Sequence, residues 1–309
     1  MGRPQLKPSI LGHERILKLL PSLSSQSLLF TGPEGVGRRA VARWYAYGLN
    51  CAEGFPGCGE CASCRLEEHS DYLEIAPEAE TKTGRKARNL QIRLEQIAPR
   101  EDGGENLLDW LSTYPRFRAK VAVIDGAHLL NEPAANALLK VLEEPPAYAR
   151  LILVAPSREM LLPTLASRSL ELAFGPLSEE TLRGLTRDPE VLAYAEGSVG
   201  RVRWALDNPA LFNQLLGRVQ GVLQSLEEGP AQTLEALGPL LETEGGLNYL
   251  ARKLGQSLPP EDPRRAEALL AIHQAQEALS AYVSEDLVLS WLGLRLWAAA
   301  QGRETLSGH

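Results

Sequence analysis

The stretch Thr31-Gly32-Pro33-Glu34-Gly35-Val36-Gly37-Arg38-Arg39 decides the fold, because it has the glycine spacing of a phosphate-binding loop. Gly32 and Gly37 match the ATP-binding pattern G-x-x-x-x-G-K-[ST], in which the lysine reaches the phosphates and the hydroxyl holds Mg²⁺. Arg38 stands at the lysine position and Arg39 at the hydroxyl position. Arginine pairs with phosphate in a different geometry from lysine, and Arg39 has no lone pair to offer a metal. The sequence therefore predicts the architecture of an ATPase without the chemistry of one.

Five short apolar runs predict the strands of a parallel sheet around this loop. They carry few charges in the middle, as strands covered on both faces do, and helical stretches lie between them. We predict a helix over Val36–Gly48, whose amino-terminal amides would face a bound phosphate. A second helix is predicted over Asn131–Glu144, which Pro145-Pro146 ends. The five predicted strands are Ser27–Thr31, Tyr72–Ala76, Lys120–Asp125, Leu151–Ala155 and Leu170–Phe174.

Asp125, at the end of the third predicted strand, is a second nucleotide-binding signature. In ATPases of this architecture such an aspartate holds Mg²⁺ through water, and an acidic residue after it orients the attacking water. The next residue here is Gly126, and Asp125 taken alone also fits a helix cap or a turn. Because the lysine, the hydroxyl and this acid are all missing, hydrolysis of ATP is implausible. We therefore predict a degenerate nucleotide site that does not bind ATP, formed by Gly32, Gly35, Gly37, Arg38 and Asp125.

The cysteines lie within one glycine-rich stretch, residues 51–64, and predict a structural zinc site. They are Cys51, Cys58, Cys61 and Cys64. Thiolates spaced two residues apart on tight turns can meet one tetrahedral ion, and four sulfurs leave no open coordination position. Free cysteines and an iron–sulfur cluster are the alternatives. A closed site of this kind indicates a folded module and not a catalytic centre.

Length and composition limit the class of protein. The chain has 309 residues, of which 44% are hydrophobic and 23% charged, as in soluble proteins of about two or three domains. A net charge of −7 excludes a nucleic-acid-binding polycation, so any contact with DNA must come from a local patch. The longest apolar runs, such as Val121–Ile124, are too short to cross a bilayer, and residues 1–8 contain no apolar stretch typical of a signal peptide. We therefore expect a cytoplasmic protein.

The β-like runs stop near Leu177, and the rest of the chain has helical patterning. Joints are indicated at Gly175-Pro176 and near Asn208-Pro209. We therefore predict an α/β domain over residues 1–175, a small helical domain over 176–208 and a helical domain over 209–309. One basic run within the first domain is interpreted either as a solvated loop or as a contact to DNA phosphates. That run contains Lys82, Arg85, Lys86, Arg88 and Arg93.

These motifs stand in the order found in bacterial clamp-loader subunits of DNA polymerase III, which are AAA+ proteins. The resemblance rests on Thr31–Arg39, the cysteines, Val123–His128, Asn136–Pro146 and Ser167-Arg168. It covers residues 1 to about 207, and the remainder is similar only in length and helical character. The defective glycine loop resembles the delta-prime type and not the ATP-hydrolysing tau/gamma type. The fold implied is an AAA+ parallel-sheet domain with a zinc-binding insertion, a small helical lid and a carboxy-terminal helical collar.

The resemblance also implies a function and partners. Clamp loaders are hetero-pentamers that place the sliding clamp around primed DNA, so the expected partners are tau/gamma and delta subunits and, indirectly, the clamp and DNA. The chain is expected to be no enzyme on its own, but part of an ATP-driven loader within the polymerase holoenzyme. In this family each ATP receives an arginine finger from the neighbouring subunit, within a Ser-Arg-Cys motif. The matching string here is Ser167-Arg168-Ser169, and the resemblance implies that Arg168 is catalytic in trans. Considered without the resemblance, Arg168 is interpreted as a surface arginine.

Two other functions remain open from the sequence. In the first, the chain is an ATP-hydrolysing subunit of the tau/gamma type, and Arg38 does the work of the missing lysine. In the second, it is a DNA-binding module built on the zinc site, which uses the basic run between Lys82 and Arg93.

Overall fold

A five-stranded parallel sheet forms the centre of the amino-terminal part of the chain. The computed structural model describes residues 10–66, 68–80, 86–99, 106–241, 243, 245–280 and 283–302. The strands are β1 (Ser27–Thr31), β2 (Tyr72–Ile75), β3 (Glu78–Glu80), β4 (Lys86–Gln91), β5 (Lys120–Asp125), β6 (Ala149–Ala155) and β7 (Leu170–Ala173). The sheet has the order β2-β5-β6-β1-β7, and β3 pairs with β4 in a separate antiparallel ribbon. The five predicted strands are confirmed, whereas the ribbon was not predicted.

Helices connect the strands of this sheet, and further helices follow it in the later described part of the chain. Those of the amino-terminal part are α1 (Glu14–Leu19), α2 (Arg38–Asn50), α3 (Leu94–Ile97), α4 (Leu107–Ser112), α5 (Glu132–Glu143), α6 (Pro163–Ala166) and α7 (Glu179–Leu182). The later ones are α8 (Pro189–Ala195), α9 (Val199–Asp207), α10 (Pro209–Glu228), α11 (Pro230–Leu241), α12 (Gly246–Ser257), α13 (Pro263–Ser280) and α14 (Glu285–Ala300). No helix among the described residues has the length and apolar character needed to span a bilayer.

The central strands β1, β5 and β6 are covered on both faces, which explains why they read as continuous apolar runs. Successive side chains of a strand point to opposite faces. Leu28 and Phe30 of β1 therefore pack in one core cluster with Val41 of α2, whereas Leu29 belongs to a second cluster with Leu138 of α5. Burial of β1 is complete along its length. Because both faces of these strands are buried, exposed functional side chains are expected at the ends of the strands.

Helix α5 begins and ends where the sequence predicts. Asn131 caps its amino terminus by accepting a hydrogen bond from the Ala134 amide at 3.0 Å, and Pro133 occupies the first turn, where its missing N–H costs nothing. The helix stops at Glu143, immediately before Glu144 and the two prolines. Its carboxy-terminal end therefore lies just before β6 begins.

The chain divides into two compact units. The first contains residues 1–182 and 197–200, and the second contains residues 183–196 and 201–309. The second unit is helical, as predicted: Val222 of α10, Leu237 of α11, Leu250 of α12 and Leu292 of α14 are fully buried. Along α14, by contrast, Leu287, Trp291 and Leu294 are exposed. The further division of the helical part at residue 208 stays a prediction.

Candidate functional site

The glycine loop lies at the edge of the sheet where the parallel strands end, which we call the carboxyl edge. The loop follows β1 directly, and Asp125 ends β5 at the same edge, in register with Val154 of β6. Ligand sites of open parallel sheets lie outside the carboxyl ends of the strands. The structure therefore brings the loop and Asp125, which are far apart in sequence, to one place.

Two glycines of the loop have positive φ angles and lie close to atoms of other segments. Gly32 has φ 137°, and a Cβ there would lie 2.1 Å from the carbonyl oxygen of Phe174. Gly35 has φ 72°, and its carbonyl oxygen accepts a hydrogen bond from the Gly200 amide at 2.9 Å. A Cβ at Gly35 would lie 2.1 Å from Oγ of Ser198. Residues 197–200 thus cover the loop, and Gly37 leads from it into α2.

Arg38, at the position of the phosphate-binding lysine, points into the sheet. Its side chain is buried, and Nη1 donates a hydrogen bond to the carbonyl oxygen of Ala155 at the end of β6. Burial lowers the pKa of Arg38, although Asp125 and Glu34 favour its charged form. The guanidinium is therefore engaged by the protein itself.

Arg39, at the position of the metal-binding hydroxyl, pairs with the acidic groups of the site. Its guanidinium forms one ion pair with Glu74 of β2 and another with Asp125, where Nε lies 3.3 Å from Oδ2. Burial raises the pKa of Asp125, while Arg39 lowers it and Glu74 raises it. A positive side chain thus lies against the carboxylate that holds Mg²⁺ in active ATPases of this architecture. Gly126 follows with φ 77° and has no side chain to orient water.

Glu74 is a site residue that the sequence analysis missed. Its second oxygen, Oε2, accepts a hydrogen bond from the Tyr72 hydroxyl at 2.9 Å, so both oxygens are used. The available signal was a single acid inside an otherwise apolar predicted strand. A charge within a covered strand needs a partner, but the sequence does not say which one.

The four cysteine sulfurs converge as the zinc prediction requires. Their Sγ atoms all lie within 4.8 Å of one another. Zinc–thiolate bonds of about 2.3 Å in a tetrahedron place the sulfurs roughly 3.8 Å apart, which this cluster can accommodate. The amide of Cys58 donates to Sγ of Cys51 at 3.2 Å, and the amide of Cys61 donates to Sγ of Cys58 at 3.3 Å. The donor set and its spacing therefore fit a closed tetrahedral site for a thiophilic metal.

The environment of these thiols favours some thiolates and opposes others. Hydrogen bonds from the backbone of Ala52 and Cys64 lower the pKa of Cys61 to about 6. Burial raises the pKa of Cys64 to about 12. A cation at the centre would offset that burial cost, because thiolates and not thiols bind metals.

Asn50 attaches the cysteine module to the sheet. It ends α2 immediately before Cys51 and is almost fully buried. Its Oδ1 accepts hydrogen bonds from the amides of Arg118 and Ala119, each at 2.9 Å, and its Nδ2 donates to the Ala119 carbonyl oxygen at 2.9 Å. Residues 118–119 lead into β5. The module is therefore fixed to the strand that carries Asp125.

Ser63, His69 and Asp71 form a buried polar cluster beside the cysteines, but it is not a nucleophilic triad. Nδ1 of His69 accepts a hydrogen bond from the Asp71 amide at 3.1 Å, so Nε2 carries the proton and donates to Oγ of Ser63 at 2.7 Å. A histidine that donates to serine cannot remove the serine proton. The Asp71 carboxylate instead accepts from the amides of Arg116 and Phe117. The cluster is structural.

Arg168 lies at the opposite edge of the sheet, where the strands begin, which we call the amino edge. Leu170 of β7 pairs with Leu28, four residues before Gly32. A rise of about 3.3 Å per residue separates the start of β7 from the glycine loop by roughly 13 Å. Arg168 is partly exposed, and its Nη2 forms an ion pair with Oε1 of Glu143 at 2.7 Å. Arg168 therefore precedes β7 at the edge of the sheet opposite to the loop.

The rest of the Ser167-Arg168-Ser169 string is held by short-range hydrogen bonds. Oγ of Ser167 donates to the Thr164 carbonyl oxygen at 3.1 Å, and Oγ of the buried Ser169 donates to that of Leu165 at 3.1 Å. The serine in the third position thus has its hydrogen-bond partner within its own turn.

The predicted basic run is only partly described. Lys82 and Arg85 lie outside the described residues, and Arg93 precedes α3, where its amide donates a hydrogen bond to Oε1 of Gln96.

Comparisons with known proteins agree on one group. A family model described as DNA polymerase III, delta subunit, matches residues 21–178. The tau/gamma subunit of DNA polymerase III from Haemophilus influenzae is 31% identical over 223 residues, which are 66% of this chain and 30% of that protein. The delta' subunit from Pseudomonas aeruginosa is 31% identical over 244 residues, which are 74% of this chain and 65% of that protein.

A solved structure supports the fold. The DNA polymerase III gamma subunit-related protein of Thermotoga maritima aligns with a TM-score of 0.51 at 19% identity, over 94% of this chain and 99% of that one. The matched region amounts to less than a third of the Haemophilus protein. The predicted fold class, an AAA+ parallel-sheet domain with a cysteine module followed by helices, is confirmed.

Proposed function

Because the chain belongs to the AAA+ clamp-loader subunits of bacterial DNA polymerase III, we propose that it acts as a subunit of the delta-prime type. In this function it hydrolyses no ATP itself and helps a clamp loader to place the sliding clamp around primed DNA. Its relatives include both tau/gamma and delta' subunits. The choice between the two types therefore depends on the site itself.

The observation that carries the choice is the pairing of Arg39 with Glu74 and Asp125. Phosphoryl transfer from ATP needs Mg²⁺ bridging the β- and γ-phosphates, held by a hydroxyl of the loop and the strand-end aspartate. Here a guanidinium lies where both metal contacts would form. Bringing Mg²⁺ to Asp125 would place a divalent cation beside a fixed positive charge, which is repulsive. These contacts favour a subunit that neither binds Mg²⁺·ATP nor turns it over.

Arg168 supplies the second part of the proposal. We place it as an arginine finger that contacts the γ-phosphate of ATP bound by a neighbouring subunit. Its side chain is partly exposed, the strand that follows it begins roughly 13 Å from the loop of its own chain, and it comes two residues after the short helix α6, whose Leu165 and Ala166 are buried in the core. Fingers supplied in trans raise turnover by roughly 10³–10⁵. The chain would thus serve a neighbouring nucleotide site and not its own.

The cysteine module and the exposed face of α14 extend the proposal. The module would hold one structural zinc ion through Cys51, Cys58, Cys61 and Cys64, with no catalytic role. Leu287, Trp291 and Leu294 recur at helical spacing and are exposed, as expected for a collar helix that packs against other subunits. The proposed partners are tau/gamma and delta subunits in a hetero-pentamer.

One set of measurements tests this function. Titration calorimetry of Mg²⁺·ATP into the isolated chain should give no binding heat, and the isolated chain should release no phosphate. In a reconstituted loader, Arg168→Ala should lower ATP turnover at least tenfold while the complex still assembles. Arg15→Ala, which changes an exposed arginine on α1, is the matched control and should leave turnover unchanged.

Other outcomes would support the rival functions. Tight Mg²⁺-dependent ATP binding together with hydrolysis by the isolated chain would indicate an ATPase of the tau/gamma type. Duplex DNA binding by the isolated chain that weakens steeply with salt would indicate a DNA-binding module. Unchanged turnover in the Arg168→Ala loader would remove the finger role.

A further inference from the structure

The guanidinium of Arg168 is held at two points by its own chain. Nη2 pairs with Oε1 of Glu143 at 2.7 Å, and Nη1 donates to the Thr164 carbonyl oxygen at 3.0 Å. A guanidinium has five N–H donors, so these two contacts leave three for another acceptor. These two contacts therefore orient the side chain and leave hydrogen-bond donors for a further ligand.

The groups that hold Arg168 belong to rigid elements. Thr164 lies in α6, whose Leu165 and Ala166 are buried in the core cluster that also contains Leu138 of α5. Glu143 is the last residue of α5. Helix α6 and the carboxy-terminal end of α5 lie at the amino edge, and the two helices pack against one another. The carboxylate and the carbonyl oxygen thus keep a fixed separation, which defines one direction for the guanidinium.

The pair is not explained by stability. The side chains of Arg168 and Glu143 are 37% and 52% exposed, and exposed ion pairs contribute little to folding. Orientation is different, because a long arginine side chain without contacts samples many rotamers and must be ordered when it meets its target. A contact that holds the arginine in one rotamer before it meets its target removes the need to order the side chain at that point.

We infer that Glu143 is a positioning residue for Arg168, which it holds ready for the phosphate of a neighbouring nucleotide. This inference rests on the proposed finger role of Arg168. Glu143 touches neither nucleotide nor reacting atoms, so its effect must pass through the guanidinium. Because the contact acts on orientation at the transition state, its loss should lower kcat and leave KM for ATP unchanged.

The test compares four loaders reconstituted with variant chains: Glu143→Gln, Arg168→Ala, the double variant and Glu144→Gln. Glu144 is the matched control, because it has the same charge one residue further on and forms no ion pair among the described residues. Glu143→Gln should lower kcat roughly two- to tenfold, the lower part of the range for side chains in direct contact, because this pair is exposed. Glu144→Gln should change neither constant. In the Arg168→Ala background, Glu143→Gln should have no further effect.

The outcomes separate this inference from the proposed function. If Arg168→Ala lowers kcat and Glu143→Gln matches Glu144→Gln, the positioning role is overturned and the finger role stands. If Glu143→Gln raises kcat, the carboxylate restrains the arginine, and the inference is likewise overturned. If Arg168→Ala has no effect, both fail together. Size-exclusion chromatography and thermal unfolding of each chain confirm that the variants fold and assemble, and Glu143→Asp, which keeps the charge, should recover part of the lost kcat.

Discussion

Replacing Arg39 by glutamine tests whether the charge of this side chain takes the place of a metal ion beside Glu74 and Asp125. The substitution removes the charge but keeps a polar side chain of similar reach on the first turn of α2. It leaves Glu74 and Asp125 without their shared partner, and each carboxylate raises the free energy of ionising the other. The variant therefore removes only the Arg39 charge, and the repulsion between the Glu74 and Asp125 carboxylates is no longer offset.

The loss of folding free energy in Arg39→Gln can be estimated from the solvent exposure of the three side chains. The Arg39 side chain is 60% exposed and the two acids are about one quarter exposed. Two pairs of this kind contribute together about 0.5–2 kcal/mol. For a unit of this size that corresponds to a fall in melting temperature of roughly 1–8 °C.

The pH dependence has a definite sign. Burial already raises the pKa of Asp125 in the folded chain, and Arg39 lowers it, so removing Arg39 raises it further. A carboxyl with a raised folded pKa stabilises the fold when protonated, and that contribution is lost as pH rises from the unfolded value through the folded pKa. The deficit of Arg39→Gln relative to the parent chain should therefore be largest near neutral pH and shrink toward pH 4.

The assay is thermal unfolding of the parent chain and the variant across pH, with and without Mg²⁺. Two unpaired carboxylates supply the oxygen ligands that Mg²⁺ prefers. Millimolar Mg²⁺ should therefore raise the melting temperature of Arg39→Gln more than a sodium salt at equal ionic strength, and should leave the parent chain unchanged. Arg15→Gln is the control, because Arg15 is exposed and forms no ion pair in the described part of the chain. Equal melting temperatures at every pH, with no Mg²⁺-specific shift, would refute the reasoning.

Two further predictions concern the cysteine module. The purified chain should contain one zinc ion, and Cys61→Ser should reduce metal content well below one per chain; iron, or no metal in the parent chain, would contradict this. Asn50→Ala should cost about 2–6 kcal/mol in urea unfolding, because the buried N–H and C=O of Ala119 lose their partner. Asn208→Ala, which removes one amide contact to the Trp204 carbonyl oxygen, should cost far less, and equal costs would show that Asn50 is not an anchor.

The sequence predicts the regular elements well because their signals are local. Each strand of the main sheet is a mostly apolar run, and its residue types alone indicate that it is buried. Helix α5 has a cap at Asn131 and a stop at Pro145. The glycine loop and Asp125 share an edge because both follow parallel strands, which topology alone dictates. These inferences need no knowledge of which side chains meet.

The ion partners of the site could not be predicted in the same way. Glu74 and Glu143 are distant in sequence from Arg39 and Arg168, and an acid at either position is compatible with several partners. The ribbon of β3 and β4 was missed because its strands are short and polar, without the apolar alternation that marks a strand. Where a residue acts through a long-range partner, periodicity carries no information about that partner.

Under the proposed function, the two edges of the sheet explain how ATP hydrolysis can be lost while the arginine finger is kept. Every departure from an ATPase pattern, namely Arg38, Arg39 and Gly126, lies at the carboxyl edge. Arg168 and the groups that orient it lie at the amino edge and share no partner with the first set. The core clusters on the two faces of the sheet contain none of these four residues. A glycine loop that departs from the ATPase pattern therefore gives no reason to expect an inert subunit, and under the proposed function the activity to measure is that of the neighbouring site.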